Sequence, residues 1–322
     1  MLGGLARRVS FVEKLKGEGK PVLVVDSGHL FTDASTGIDH TQSLIKARLI
    51  SRAYKRMGVA AINVGDWELM QGMAFLREEA SRGLPLISAN LVDQSRGAPI
   101  FKPYIIKKIN KTRIAFFGLL SPDINPTIRK AAGGEILVKD PVETAREMLK
   151  KLHNRADVII LLSDLGADRE REVVKAASGI HFVLGGHEGR YIHSSAWEGQ
   201  TPVLESYKNG MYAGKLQLSF VNLASPFHDE GREDQIKQQI QNLEFRLKNL
   251  KESRNNHQKQ SLDNAIQNIN KQRESLRDEL KRSRASLSGG NRFLWTLVPL
   301  DKSHPEDREV SAWIRKAGIE KD

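Results

Sequence analysis

One local pattern, used five times, constrains this chain more than any other feature of its sequence: a short apolar run that stops abruptly at aspartate, histidine or asparagine, in four of the five within two residues of glycine. The runs are residues 22–31 (VLVVDSGHLF), 58–69 (GVAAINVGDWEL), 84–93 (LPLISANLVD), 158–166 (VIILLSDLG) and 179–189 (GIHFVLGGHEG). Short apolar runs bounded by turn formers read as buried strands. Between them, Leu44, Ala47, Ile50 and Ala53 or Tyr54 share one helix face over 41–57, and Val142, Ala145, Leu149 and Leu152 do so after Pro141, a favoured first helical residue. The spacing further predicts strands over 21–25, 60–64, 85–89, 158–162, 181–184, 202–205, 215–220 and 293–300. It predicts helices over 69–81 and 169–177 and near 306–316, and a hairpin of 104–109 with 113–119 about Asn110-Lys111. Strands alternating with helices imply helices packed on sheet, an α/β layered core.

At 322 residues the chain can bury a full core, and with no cysteine it has no disulfide, thiolate metal site or thiol nucleophile. No apolar run approaches a membrane span, and the opening MLGGLARRVSFVEKLK lacks the apolar centre of a signal peptide. The formal net charge of +11 raises the question of nucleic acid. Its basic residues, however, are scattered through 102–113 and through a long helical segment, among Glu, Asp, Gln and Asn and without aromatics to stack on bases. A solvated basic face explains the charge better than nucleic-acid binding does, and it stays compatible with phosphorylated ligands or anionic surfaces.

From Glu233 to about Arg284 the chain changes character, becoming nearly free of Gly and Pro. Ile236, Ile240, Leu243, Leu247 and Leu250 repeat in steps of four and three, the seam of a coiled coil. A second seam runs through Leu262, Ile266, Ile269, Leu276 and Leu280 with Arg273 in one seam position. The register breaks at the polar stretch 252–261, so two antiparallel helices joined at a tip are expected; one long helix that dimerises is the alternative. Beyond Gly289-Gly290 a strand-like run returns. The expected organisation is therefore a main domain begun by residues 1–225, a helical hairpin inserted over 230–288, and residues 289–322 completing the main domain. Such a hairpin offers residues 233–284 to a protein partner or an anionic surface.

The order of the five segments resembles the catalytic domain of the calcineurin-like metallophosphoesterases, within them the 5′-nucleotidases and UDP-sugar hydrolases. Residues 3–7 (GGLAR) match a segment that in the family follows an Asp-x-His strand; that strand would lie upstream of Met1. The family's Asp-Ala-Gly-Asp, whose last Asp bridges two metals, is Asp26-Ser27-Gly28-His29 here, and its Gly-Asn-His-Glu is Gly65-Asp66-Trp67-Glu68. Leu-Ser-His-Leu-Gly becomes Leu162-Ser163-Asp164-Leu165-Gly166, and Gly-Gly-His-x-His becomes Gly185-Gly186-His187-Glu188-Gly189. Ser88-Ala89-Asn90 and the stretch 116–122 also fit the frame. The resemblance covers 3–220 and the stretch from Phe293 to the C-terminal helix.

The resemblance implies a metallophosphoesterase-type sandwich of sheets flanked by helices, a phosphorylated small molecule as substrate, and an extracytoplasmic or periplasmic location if an export signal lies upstream. It also implies a divalent cofactor of the Zn, Mn, Fe or Mg class at the positions of His29, Asp66, Asp164 and His187, with Asn90 toward the substrate and Asp26 as a reserve ligand. The family's catalytic His position is Trp67, which can neither ligate nor transfer a proton, and an imidazole at the bridging position has one lone pair to offer. Weak or absent phosphoester hydrolysis is the expectation. The alternatives are an active phosphoesterase with a rebuilt His/Asp centre and a scaffold acting through the hairpin. The plain reading of these residues as strand-end turn formers and helix caps also stands.

Overall fold

The computed structural model describes residues 2–31, 40–133, 136–190, 196–252, 259–286 and 289–319. They fall into two compact units, Met1–Gly214 with Leu297–Asp322, and Lys215–Thr296. In chain order the elements begin with α1 (Leu5–Gly17), β1 (Val25–Asp26), α2 (His40–Arg56), β2 (Ala61–Asn63), α3 (Asp66–Leu69), α4 (Met73–Ser81), β3 (Leu86–Ile87) and β4 (Leu91–Asp93). Next come β5 (Tyr104–Ile109), β6 (Thr112–Leu120), α5 (Pro126–Ala131), β7 (Ile136–Val138), α6 (Pro141–Leu152), β8 (Val158–Asp164), α7 (Ala167–Ala176), β9 (Phe182–Gly185), β10 (Ala196–Glu198) and β11 (Thr201–Glu205). The series closes with β12 (Tyr212–Ser219), β13 (Phe227–Asp229), α8 (Arg232–Glu252), α9 (Lys259–Ser286), β14 (Asn291–Pro299) and α10 (Arg308–Lys316).

Two sheets build the first unit, a parallel β1-β2-β3 and a six-stranded β10-β11-β9-β8-β6-β5, beside the small antiparallel pair β4-β7. In the larger sheet β6, β8, β9 and β11 run parallel, with β5 and β10 antiparallel at the edges. β8 is buried along its whole length, which is why its sequence is an unbroken apolar run until Ser163. Ala145, Met148 and Leu152 of α6 and Val173 of α7 pack on Ala115, Phe117, Ile159 and Leu161 of that sheet. Each such large side chain contributes roughly 1.5–3 kcal/mol when fully buried. β2 meets β6 and β8 from the other sheet. At that contact the fully buried Asn63 donates to the carbonyls of Leu119 at 3.0 Å and Ser27 at 3.1 Å. Ala6, Val9 and Val12 of α1, Ala47, Ala53 and Tyr54 of α2, and Val310 of α10 share the core on the smaller sheet's side.

The mixed α/β layering agrees with the expectation from sequence, while several boundaries differ. The helix expected over 69–81 begins only at Met73, where Gly72 with its φ of 80° is the N-cap of α4, and Leu69 closes the separate α3. The strand expected over 21–25 is paired only from Val25, opposite Ala61. α1, with Ala6, Val9, Phe11 and Val12 buried, and the short α5, β4 and β7 were not anticipated.

In the second unit β13 pairs parallel with β14, from Phe227 opposite Asn291 to Asp229 opposite Phe293. α8 and α9 are two helices that run antiparallel, since Arg232 at the start of α8 pairs with Glu279 near the end of α9 at 2.5 Å. Leu243, Leu247 and Ile269 are buried between them, with Leu250, Ile266 and Leu276 packed alongside, all members of the two seams. Most of the expected tip, residues 253–258, lies outside the described residues. No helix among the described residues is long and apolar enough to cross a membrane.

Candidate metal centre

The ends of β1, β2, β8 and β9 bring four potential ligands together at the carboxyl edge of parallel strands, the usual place for chemistry in α/β sheets. Asp164 is the last residue of β8 and is fully buried. Its Oδ2 accepts the Asp66 N–H at 2.8 Å, and its Oδ1 lies 2.9 Å from His29 Nε2 and 3.1 Å from His187 Nδ1. Gly65 permits this approach: a Cβ there would sit 2.6 Å from Asp164 Oδ2. Asp66 starts α3 and places Oδ1 2.9 Å from His29 Nε2. One ligand atom from each of His29, Asp66, Asp164 and His187 lies within 4.8 Å of all the others.

His29 is held in an uncommon conformation, with φ of 61°. Its ring meets Trp67 edge-on at 5.9 Å and His187 at 5.2 Å. Trp67, at the position of the family's catalytic His, is thus packed against a potential ligand. Burial opposes protonation of His29, but the Asp164 and Asp66 carboxylates outweigh it and push the imidazole up to about 10. Asp164 is buried, which works against its charge, yet contact with His187 and His29 holds it below the ordinary carboxylate range. His187 is raised by its contact with Asp164. Burial pushes Glu68 up to about 7.

The donor set fits a divalent ion. Among the described residues, His29 Nε2 and Asp66 Oδ1 are buried and have no aligned hydrogen-bond partner, although they stand 2.9 Å apart. The imidazoles form ion pairs with the two carboxylates when protonated, and a bound cation would take the place of those protons.

Other anticipated residues are engaged elsewhere. Asp26 is no ligand: its Oδ1 accepts the Gly28 N–H at 3.0 Å and its Oδ2 accepts the Tyr54 hydroxyl at 2.8 Å, with Arg8 donating to Tyr54 behind it. Asn90 is fully buried, and its amide is tied to backbone, donating to Leu120 O and Lys139 O and accepting from Leu120 N. Gly189, where the family has its second His, has a left-handed φ of 60°, and a Cβ there would lie 2.9 Å from Lys208 Cβ. A side chain has no room at that position.

Two sets of residues escaped the sequence reading. Glu68, given no role by the resemblance, accepts the N–H groups of His29, Leu30 and Gly65. Arg190 ties the loop after His187 to Glu205 at 2.6 Å, Glu188 at 3.1 Å and Glu170 at 3.4 Å. The acidic residue closing Gly-Asp-Trp-Glu was the one available signal for the first set; the second joins residues too far apart in sequence to show any.

No family model matches the chain. A 2′,3′-cyclic-nucleotide 2′-phosphodiesterase/3′-nucleotidase of Yersinia enterocolitica is 24% identical over 194 residues, covering 56% of this chain and 30% of that enzyme. The chain thus spans well under two thirds of the length of such relatives. Among solved structures, the Thermus thermophilus sulfate thiohydrolase SoxB superposes with a TM-score of 0.69 at 16% identity, over 98% of this chain and 46% of that one. The calcineurin-like phosphoesterase YfkN of Bacillus subtilis superposes with a TM-score of 0.63 at 18% identity, over 98% of this chain and 88% of that one. The relatives of this chain are 5′-nucleotidases and calcineurin-like phosphoesterases, and its fold is the metallophosphoesterase fold of the 5′-nucleotidases.

Proposed function

We propose that this domain holds a single divalent ion through His29, Asp66, Asp164 and His187, binds a phosphorylated small molecule beside it, and hydrolyses phosphoesters weakly or not at all. The observation that carries this reading is the convergence of those four ligand atoms within 4.8 Å. A mixed nitrogen and oxygen donor set suits Zn, Fe or Mn better than Mg, which favours oxygen alone. When bound, such an ion supplies Lewis-acid polarisation of a phosphoryl oxygen. Four protein ligands would leave such an ion little access to a substrate oxygen, as in structural rather than catalytic sites, which fits weak or absent turnover. His29 at the bridging position has one lone pair for a metal, so it cannot join two ions as a carboxylate does. The indole N–H of Trp67 is far too weak an acid to protonate a leaving group.

Elemental analysis after dialysis should find about one equivalent of metal, lost in His187→Ala. Turnover of an aryl phosphate should stay near background at every metal tested. Robust hydrolysis that a chelator abolishes overturns the inactive reading and establishes the alternative, an active phosphoesterase with a rebuilt centre. A scaffolding role of α8 and α9 is a second reading, favoured by Phe245, which stands 66% exposed on α8 beside Arg246 and Lys248; an acidic protein partner fits that surface. Relatives from snake venom support a place of action outside the cytoplasm.

A further inference from the structure

Glu68 is fully buried and contributes no atom to the ligand group, yet it touches the backbone on both sides of it. Its Oε2 accepts the His29 N–H at 3.0 Å and the Gly65 N–H at 2.9 Å, and its Oε1 accepts the Leu30 N–H at 2.5 Å. Gly65 directly precedes Asp66, so one carboxylate joins the loop that carries His29 to the turn that carries Asp66. His29 sits at φ 61°, a conformation that persists only when its surroundings over-determine it. The N–H groups of His29 and Leu30, both donating to Glu68, belong to the peptide planes before and after His29, so the carboxylate fixes both. Gly28 leaves the space for this: a Cβ there would be 3.3 Å from Glu68 Oε2.

We infer that Glu68 is a positioning residue, a carboxylate brace that holds His29 left-handed and sets its Nε2 against Asp66 and Asp164 so that one cation can be shared by all three. The inference rests on the metal reading above for its consequence and on hydrogen bonding for its cause, and the two are separable. A carboxylate suits the role because it accepts three N–H groups and donates nothing. Glutamine at this position keeps the size but offers one accepting oxygen, and turns an NH2 toward at least one backbone donor.

The test uses the full chain, stripped of metal and titrated with Co(II). Glu68→Gln should retain the wild-type circular dichroism, speed amide exchange of His29 and Leu30 in the metal-free protein, and shift the visible Co(II) absorption bands. Its affinity for Co(II) should fall about 10- to 100-fold, the range for residues that orient metal ligands. In a His29→Ala background the same substitution should change affinity by less than about twofold, because the coupled partner is gone. Unchanged amide exchange, or an equal loss of affinity in both backgrounds, overturns the brace. If Glu68→Gln fails to fold, Glu68→Asp, which withdraws the carboxylate by one methylene, is read by the same outcomes. If the wild type binds no Co(II), the metal reading falls, and the amide exchange of His29 and Leu30 still decides whether Glu68 holds the loop.

Discussion

In the loop that carries His29, three successive backbone N–H groups, those of Gly28, His29 and Leu30, are each tied to a carboxylate, Asp26 for the first and Glu68 for the others. In the helical pair α8 and α9 the seam admits Arg273, whose Nε is buried with no hydrogen-bond partner among the described residues, beside Glu244, Leu247 and Lys248. The first region is specified atom by atom and tolerates one arrangement. The second is specified by periodicity, and periodicity accepts a misfit. Buried polar networks fix a unique geometry only when every member is satisfied, so the two regions should answer substitution very differently.

The sharpest way to break the comparison is at Asp164. Its carboxylate meets His29, His187 and the Asp66 N–H at once, with none of its side chain exposed. Asp164→Ala leaves the His29 imidazole with Asp66 as its remaining carboxylate and frees the Asp66 N–H, and removing one partner of a buried pair costs up to about 3–5 kcal/mol. Urea denaturation should register that loss, and elemental analysis should find no retained metal. Stoichiometric metal in Asp164→Ala would show that the centre is not specified as described.

Nearly as large an effect belongs to Glu170, which burial pushes up to about 7 from an ordinary value of 4.5, against a hydrogen bond from Ser163 and the charge of Arg190. Between those two values the folded chain keeps the proton and the unfolded chain has released it, so the unfolded state binds fewer protons and stability falls as pH rises. The contribution is whole below about pH 4.5 and is lost as pH passes about 7, on the order of 3 kcal/mol at 1.36 kcal/mol per unit. Other groups titrate in the same window, so the measurement is a difference. Wild type should lose that amount relative to Glu170→Gln between about pH 4.5 and pH 8, and parallel curves would place Glu170 outside the buried network.

What the sequence made legible follows the same division. The unbroken run of β8 and the step-of-four seams of α8 and α9 announced themselves, because burial on both faces or on one stripe leaves a period in the residues. The positions of His29, Asp66, Asp164 and His187 were legible as a set because each closes a strand in a resembling motif. The brace by Glu68 and the ties of Arg190 to Glu170, Glu188 and Glu205 were not, since they join loops through space and have no period. Asp26 shows the limit most plainly: in sequence it stands as a reserve ligand, and only the Tyr54 hydroxyl and the Gly28 N–H reveal that each of its oxygens already accepts a hydrogen bond.

The smallest effects are expected in the helical pair, and their sign is the informative part. Arg273→Leu replaces a buried, unpartnered donor with an apolar side chain beside Leu247, and relieving such a group is worth about 1 kcal/mol. Denaturation of the full chain should show that gain, whereas an apolar substitution inside the metal centre can only lose. Phe245→Ser supplies the reference: the ring is 66% exposed on the outer face of α8, so its removal should move stability by no more than about 0.5 kcal/mol. If Arg273→Leu destabilises the chain, the arginine is satisfied by a partner in solution and the seam is as closely specified as the centre. If Phe245→Ser destabilises it as well, the outer face of α8 is covered in the folded protein, and a docking role for that face is excluded.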